Sequence, residues 1–191
     1  MIYTLTLPAA PVDEREIMRY MGCLCDDGTV AELISSCVRE AETAIAGKVC
    51  YGEFDVTVTD DTVDFGFASV KSASLSKHLR ACRRAVIFAA TVGIGIDRLI
   101  SKYGTVSPAR SLCMQCLGAE RIESLCDVFE EKITQGRAAK KRFSAGYGDL
   151  PLDFQRDIFA ALDCPRKIGA TLNGSLLMSP TKSVTAIIGI E

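Results

Sequence analysis

The chain alternates between the two-residue hydrophobic period of β-strands and the longer period of amphipathic helices. Alternation over Met1 to Leu7 predicts a short first strand. A second alternating stretch, Phe54 to Phe67, is interrupted by Asp60-Asp61 and predicts a β-hairpin. Two β-rich segments, Ile168 to Met178 and Ser183 to Ile190, predict that strands also form the end of the chain.

Apolar residues recur at the helical period in three stretches. Glu14 to Met21 predicts a short helix, and Thr29 with Glu32 has the capping-box spacing that begins a second helix. Ser107-Pro108 is a typical helix start. The helix that follows should be the longest, and its predicted buried stripe consists of Leu112, Cys116, Ala119, Ile122, Cys126, Phe129 and Ile133.

Shorter elements are predicted in the middle of the chain. Ser74 or Ser76 can cap a helix that runs through Cys82, and Ile96 to Tyr103 predicts another helix. Between them, the continuous apolar run from Ala85 to Val92 is typical of a central strand that is covered on both faces.

Strands and helices are therefore intermixed along the chain. Arg142 to Tyr147 has an extended pattern, and Pro151 begins a predicted helix. The inward side chains of that helix are Phe154, Ile158, Phe159 and Leu162. Hairpins near both ends argue against an all-parallel sheet with regular crossovers. The sequence thus predicts one α+β domain over residues 1–191, with a twisted, mainly antiparallel sheet and helices packed around it.

Composition limits the kind of partner and the compartment. Hydrophobic residues make up 48% of the chain, which is enough for a substantial core. The 22 Lys and Arg balance 24 Asp and Glu, so no basic excess favours nucleic acid or an anionic membrane. The sequence shows neither a secretory pattern nor an apolar run of membrane-spanning length, and this predicts a cytoplasmic protein.

The cysteines and the histidine restrict metal chemistry. Nine cysteines are an odd number, and we expect most of them to be reduced thiols packed as small core residues. Cys113 and Cys116 have the spacing of a metal or redox pair, but they lie within the predicted long helix, and no second such pair completes four ligands. Cys23 and Cys25 lie close together in a predicted loop. With His78 as the single histidine, a His-rich zinc site is excluded.

A glycine-containing turn after the central strand is one candidate ligand site. Gly93 and Gly95 stand between a predicted strand and a predicted helix, where a dinucleotide-binding loop would lie. Arg98 occupies the place of the third glycine in that motif. We therefore assign the two glycines to backbone geometry and keep a nucleotide site as the alternative.

A second candidate is the segment that begins at Arg142. Its planar guanidinium can hold a carboxylate through two hydrogen bonds. Gly146 and Gly148 flank Tyr147 and permit close approach of the backbone to a ligand. From these residues alone, a binding loop and an ordinary turn are equally supported.

This segment resembles a motif of a known family. Arg142, Gly146 and Tyr147 match the Arg-x-x-x-Gly-Tyr motif of the activation, or reactivation, domain of cobalamin-dependent methionine synthase. At the family's distance, Ser175 to Val184 is similar to its Ser-x-x-Met-x-Pro-x-x-Ser-Val segment. A weaker match is the predicted helix around Glu123, which is similar to the family helix that carries an acidic ligand.

The resemblance implies a helmet of helices on a twisted antiparallel sheet that binds S-adenosylmethionine in an extended pose. The residues that it assigns to this ligand are Arg142 for the methionine carboxylate, Ala145, Gly146 and Tyr147 for backbone contacts with the nucleoside, Glu123 as a polar anchor, and Ser175. It also implies two partners for the reductive remethylation of cob(II)alamin. One is a methionine synthase or other corrinoid protein that carries the cobalamin, and the other is a flavodoxin-type electron donor.

The sequence departs from the family pattern at three places. In the enzymes of the family, where this domain is fused to the rest of methionine synthase, a proline closes the motif at the position of Gly148. Asn173-Gly174, a favoured tight-turn pair, replaces a pair that consists of a threonine and an acidic residue. The tyrosine-bearing strands of those enzymes do not follow before Glu191. The first hypothesis is therefore that the chain is a reactivation subunit without catalytic residues of its own. Two other hypotheses remain. They are an independent S-adenosylmethionine-dependent methyltransferase that uses Gly93 and Gly95, and a non-catalytic interaction module for a corrinoid protein.

Overall fold

A computed structural model of the chain describes residues 1–8, 10–23 and 28–191. Its strands are β1 (Ile2–Thr6), β2 (Lys48–Asp55), β3 (Thr57–Val58), β4 (Thr62–Asp64), β5 (Ser69–Lys71), β6 (Arg84–Thr91), β7 (Thr171–Leu172), β8 (Met178–Ser179) and β9 (Ser183–Ile190). Its α-helices are α1 (Glu14–Met21), α2 (Thr29–Ala41), α3 (Ala73–Leu79), α4 (Ile94–Tyr103), α5 (Pro108–Thr134), α6 (Gln155–Leu162) and α7 (Cys164–Ile168). None of the helices in the described ranges combines the length and the apolar character that crossing a membrane requires.

The largest sheet has the strand order β1-β2-β6-β9, and each neighbouring pair is antiparallel. β6 is a central strand whose residues are buried from Ala85 to Thr91, as its continuous apolar run predicts. Two small antiparallel sheets, β3-β4-β5 and β7-β8, complete the strand pairing in the described part of the chain. The predicted α+β class with a mainly antiparallel sheet is confirmed.

The two faces of the large sheet contribute to two hydrophobic cores. Phe88 of β6 lies in the core formed with α1, α2, α4 and α5, where its ring centroid is 4.7 Å from that of Phe129. The preceding residue, Ile87, lies in the core formed with α3, α6, α7 and the β3-β4-β5 sheet. Successive side chains of a strand point to opposite faces, so one strand supplies both cores.

Several predicted helix boundaries are wrong by a few residues. α2 has Gly28 as its N-cap, so that Thr29 is the first helical residue and not the cap. α4 begins at Ile94, two residues before the predicted start. α5 begins at Pro108 as predicted, but Leu112 is exposed and does not belong to its buried stripe.

The cap of α3 is also different from the prediction. The hydroxyl of Ser72, instead of Ser74 or Ser76, accepts a hydrogen bond from the backbone N–H of Leu75 at 3.1 Å. The helix ends at Leu79. Three serines at alternate positions carry the same capping signal, and only the path of the chain before the helix selects one of them.

The strand predictions are confirmed in outline and corrected in extent. Phe54 belongs to β2 of the large sheet, and the predicted hairpin is reduced to β3 and β4. Ile168 ends helix α7, so the β-rich segment that starts there yields only the short strands β7 and β8. Arg142 to Tyr147 is extended only at its start, where Phe143 forms a single bridge to Ile187 of β9.

Candidate functional site

Helix α5 positions a row of acidic side chains. Glu123, Asp127 and Glu130 are separated by four and then three residues, and this spacing places them on one face of the helix. Another face of the same helix buries Cys126 and Phe129 against the sheet. The amphipathic pattern of α5 therefore fixes the direction in which the carboxylates point.

Arg142 lies across this row of carboxylates. Its Nη1 donates hydrogen bonds to Asp127 Oδ1 at 2.7 Å and to Glu130 Oε2 at 2.9 Å, and its Nη2 donates to Glu123 Oε2 at 3.3 Å. The arginine side chain is only 22% exposed. A guanidinium offers five N–H donors, so these three hydrogen bonds leave others for a ligand.

The guanidinium lies in the wall of a surface depression of about 420 Å³, which is lined by Asp127, Glu130, Lys141 and Arg142. A second depression, of about 370 Å³, shares Asp127 with the first and extends to Glu123 and Tyr20. The structure thus brings together Arg142 and Glu123, two of the residues that the resemblance assigns to a ligand. It also adds Asp127 and Glu130, to which the resemblance assigns no role.

A compact turn follows Arg142. The backbone N–H of Gly146 donates to the carbonyl of Leu150 at 3.0 Å, and that of Tyr147 donates to the carbonyl of Ser144 at 3.1 Å. Within the described residues, the carbonyls of Ala145 and Gly146 have no hydrogen-bond partner. Ala145 is buried, whereas the Tyr147 side chain is 70% exposed. The turn therefore leaves two backbone carbonyls without a hydrogen bond in the described residues and exposes one aromatic ring.

Gly148 and Asp149 attach this turn to α3. Gly148 has φ +55°, which proline cannot adopt, and a Cβ at this position would lie 2.8 Å from Ser74 Oγ. Asp149 accepts hydrogen bonds from the hydroxyl of Ser72 and from the backbone N–H groups of Ala73 and Ser74. The Ser72 hydroxyl and these N–H groups lower the pKa of Asp149 below its usual range. The departure from the family's proline thus has a structural reason. The role of Asp149 follows only from the structure, because its partners are distant in the chain.

Ser175 lies in the turn between β7 and β8. The side-chain carbonyl of Asn173 accepts hydrogen bonds from the backbone N–H groups of Ser175 and Leu177, both at 2.9 Å, so Asn173-Gly174 lies in a hairpin loop between β7 and β8. Neither residue has the positive φ of a two-residue Asn-Gly turn, and the loop is closed by the hydrogen bond from the N–H of Asn173 to the carbonyl of Leu177. Ser175 is exposed, and in the described part of the chain no hydrogen bond or ion pair joins it to Arg142 or Glu123.

The remainder of the second motif holds the β8–β9 connection in place. The backbone N–H of Thr181 donates to Asp97 Oδ2 on α4 at 2.9 Å. Ser183 Oγ lies 2.9 Å from Thr91 Oγ1 at the end of β6 and 2.8 Å from the carbonyl of Pro180. The proline and the second serine of the motif therefore contribute to the packing of the turn.

The glycines before α4 have backbone roles. Gly93 has φ +86°, and a Cβ on Gly95 would lie 2.0 Å from the carbonyl oxygen of Ala44. A cavity of about 640 Å³ lies beside these residues and is also lined by Lys48 and Arg98. The close approach of Gly95 to Ala44 accounts for the glycine without a ligand.

The cysteines occupy the two cores. Of the eight described cysteines, all unpaired thiols, Cys23 is partly exposed and the other seven are buried. Cys25 lies outside the described residues. Cys113 contacts Cys37, and this contact together with burial raises the pKa of the Cys113 thiol. Its place inside the core agrees with the packing role predicted for most of the cysteines.

Comparison with known proteins identifies the fold. No protein-family model matches the chain, and no curated protein matches it by sequence. Among solved structures, the crystal structure of the MetH reactivation domain bound to AdoHcy matches with a TM-score of 0.70. The sequence identity is 14%, and the match covers 99% of this chain and 78% of that chain. This chain therefore has the fold of the MetH reactivation domain.

Proposed function

We propose that this protein binds S-adenosylmethionine and supports reductive remethylation of cob(II)alamin on a separate cobalamin-dependent methionine synthase or related corrinoid protein. The observation that carries the proposal is the position of Arg142. Its guanidinium lies in the wall of an open depression, in a segment that resembles the family's ligand-binding motif. The similar solved structure, a MetH reactivation domain, is bound to AdoHcy.

The groups around Arg142 fit the chemistry of S-adenosylmethionine. The arginine offers N–H donors to the ligand's carboxylate, and the carboxylate of Glu123 suits its ammonium and sulfonium charges. The carbonyls of Ala145 and Gly146 can accept hydrogen bonds from an adenine amino group. The exposed ring of Tyr147 offers an apolar surface to the nucleoside.

The side chains at this site suit binding and orientation better than proton transfer. Methyl transfer from a sulfonium needs no general base, so positioning and desolvation can carry it. The cobalamin that the partner carries would supply the nucleophile, a cobalt reduced from cob(II)alamin by one electron from a flavodoxin-type donor. His78, the single histidine, has its Nε2 2.9 Å from the carbonyl oxygen of Lys141, and this contact fixes it beside the loop.

Calorimetry tests the proposal. We expect both S-adenosylmethionine and S-adenosylhomocysteine to bind, because the carboxylate and nucleoside contacts do not depend on the transferred methyl group. Arg142→Lys should weaken binding by about tenfold or more, since an ammonium cannot reproduce the planar fork. Lysine also keeps a positive charge opposite the three carboxylates, so the fold should be less disturbed than in an alanine variant.

Lys140→Ala is the matched control. Lys140 forms an ion pair with Glu191 and not with the carboxylates of α5, so its removal should change affinity little. Equal weakening by both variants would contradict the role of Arg142. Absence of heat at millimolar ligand, with and without a corrinoid partner, would contradict the proposal as a whole.

The cavity beside Gly93 and Gly95 supports one competing proposal, an independent S-adenosylmethionine-dependent enzyme. Its volume of about 640 Å³ and its basic residues Lys48 and Arg98 could accommodate a ligand with an anionic group. Binding that is lost in Arg98→Ala and retained in Arg142→Lys would favour this second proposal.

A further inference from the structure

Arg142 is surrounded by more negative charge than it neutralises. Three carboxylates, those of Glu123, Asp127 and Glu130, contact one guanidinium. A ligand carboxylate that approaches the same guanidinium would therefore meet groups of its own charge at hydrogen-bond distance. Repulsion between like charges therefore favours exchange of one of these protein carboxylates for the ligand's carboxylate over addition of a fourth anion.

The three contacts differ in how easily they can be released. Glu130 is only 26% exposed, so it is the most enclosed of the three. Glu123 makes the longest contact, at 3.3 Å. Asp127 combines a short contact of 2.7 Å with a side chain that is 70% exposed. Because its carboxylate is already largely hydrated, it can leave Arg142 with the smallest change in solvation, and its departure releases an Nη1 donor to a ligand carboxylate.

We propose that Asp127 occupies the place of the ligand's carboxylate on Arg142 and that it sets the affinity of the site by competing for that guanidinium. This inference rests on the proposed function. Exchange of one carboxylate for another keeps the arginine paired in both states. It also avoids placing a fourth anion beside the three that are already present. Asp127 is thus an affinity-determining residue that acts through Arg142.

The test uses Asp127→Asn, with Glu131→Gln as the matched control. Asparagine keeps a side-chain oxygen that can accept from Arg142 Nη1, so the geometry is retained while the competing charge is removed. Glu131 lies one helical turn further along α5, is exposed, and in the described part of the chain has no ion pair with Arg142. Both variants remove one negative charge from the same helix.

Two probes separate the methionine end from the nucleoside end. S-adenosylhomocysteine has a carboxylate and an uncharged sulfur, so it reports on Arg142 without the attraction of a sulfonium. 5′-Methylthioadenosine has the nucleoside and lacks the amino-acid group. In calorimetry, Asp127→Asn should bind S-adenosylhomocysteine about tenfold more tightly than the unaltered protein, because a charge-assisted competitor has been removed. It should bind 5′-methylthioadenosine with unchanged affinity, and Glu131→Gln should change neither affinity by more than about twofold.

Each other outcome rejects the inference. Weaker or unchanged binding of S-adenosylhomocysteine to Asp127→Asn would mean that Asp127 does not compete for Arg142. If Asp127→Asn gains as much affinity for 5′-methylthioadenosine, or if Glu131→Gln gains as much for S-adenosylhomocysteine, the effect comes from the lower net charge and not from release of Arg142. If the unaltered protein and both variants bind neither probe, the proposed function fails together with the inference. If the unaltered protein binds both probes and Asp127→Asn does not differ from it, only the inference fails.

Discussion

At the scale of single residues, Gly95 occupies a position with no room for a side chain. A Cβ there would lie 2.0 Å from a backbone oxygen of Ala44, which cannot rotate away as the end of a side chain could. We expect Gly95→Ala to lower the free energy of unfolding by about 1–3 kcal/mol, measured by urea denaturation. The reason is overpacking between the start of α4 and the segment after α2.

Gly174→Ala is the control for this substitution. No atom lies within 4 Å of a Cβ at Gly174, so its unfolding midpoint should differ little from that of the unaltered protein. Equal midpoints for the two variants would contradict the packing account. A variant of Gly95 that folds normally but loses a ligand would instead support the nucleotide-loop hypothesis.

Arg142 illustrates what a motif conveys at the residue scale. The Arg-x-x-x-Gly-Tyr pattern identified the arginine, but its three acidic partners lie 12, 15 and 19 residues earlier in the chain. Of these three, the resemblance assigns a role only to Glu123. The spacing of Asp127 and Glu130 on the helix was visible, yet their role depends on where the chain returns after α5.

At the scale of secondary-structure elements, Glu40 joins three helices. From α2, its carboxylate accepts hydrogen bonds from Lys102 and Tyr103 of α4, at 2.8 and 2.7 Å, and from Arg110 of α5 at 2.8 Å. These contacts lower the pKa of Glu40 from 4.5 to about 2, and the contact with Lys102 has the largest effect, ahead of those with Tyr103 and Arg110. This network therefore favours the charged carboxylate in the folded state.

The lowered pKa predicts a pH-dependent effect of Glu40→Gln. The charged carboxylate of Glu40 stabilises the folded state fully above the ordinary pKa of 4.5. This contribution is lost as the pH falls towards the pKa of about 2 in the folded protein. We expect the variant to be less stable by on the order of 1 kcal/mol at pH 7, with the difference shrinking below about pH 4.5. Urea unfolding at several pH values measures it. Glu42→Gln, on an exposed neighbour, should show no such trend, and a pH-independent difference for Glu40→Gln would contradict the assignment.

At the scale of the whole molecule, the two cores determine the reactivity of the cysteines. Seven of the eight described thiols are buried, and burial raises the pKa of Cys126 to about 12. Because the thiolate is the reactive form, we expect Cys23 to react rapidly with a thiol reagent while the seven buried thiols react only when the protein opens or unfolds. Cys25 is not included in this prediction.

A thiol titration followed over time measures this behaviour. Addition of denaturant should convert the slow thiols to fast ones, which serves as the internal control. Rapid reaction of most cysteines in the native protein would contradict the packing of the two cores. The measurement therefore tests the whole fold and not one element.

Local patterns in the sequence determined much of the architecture. The extent of β9, the central strand β6 and the start of the long helix α5 were all predicted, because each depends on the hydrophobic period of adjacent residues. The Asn173-Gly174 pair indicated a hairpin for the same kind of reason, although the structure holds the loop by hydrogen bonds from the backbone N–H groups two and four residues further on to the asparagine side chain. These features are encoded within a few residues.

Only the tertiary structure decided the strand order β1-β2-β6-β9, the capture of Arg142 by three carboxylates and the contact of Gly95 with Ala44. Asp149 shows the reason most clearly, because it accepts hydrogen bonds from groups at the start of α3 that are more than seventy residues away in the chain. A local pattern states which side chains prefer burial or a turn. It does not state which distant residue they meet, because that depends on how all the elements pack around the two cores at once.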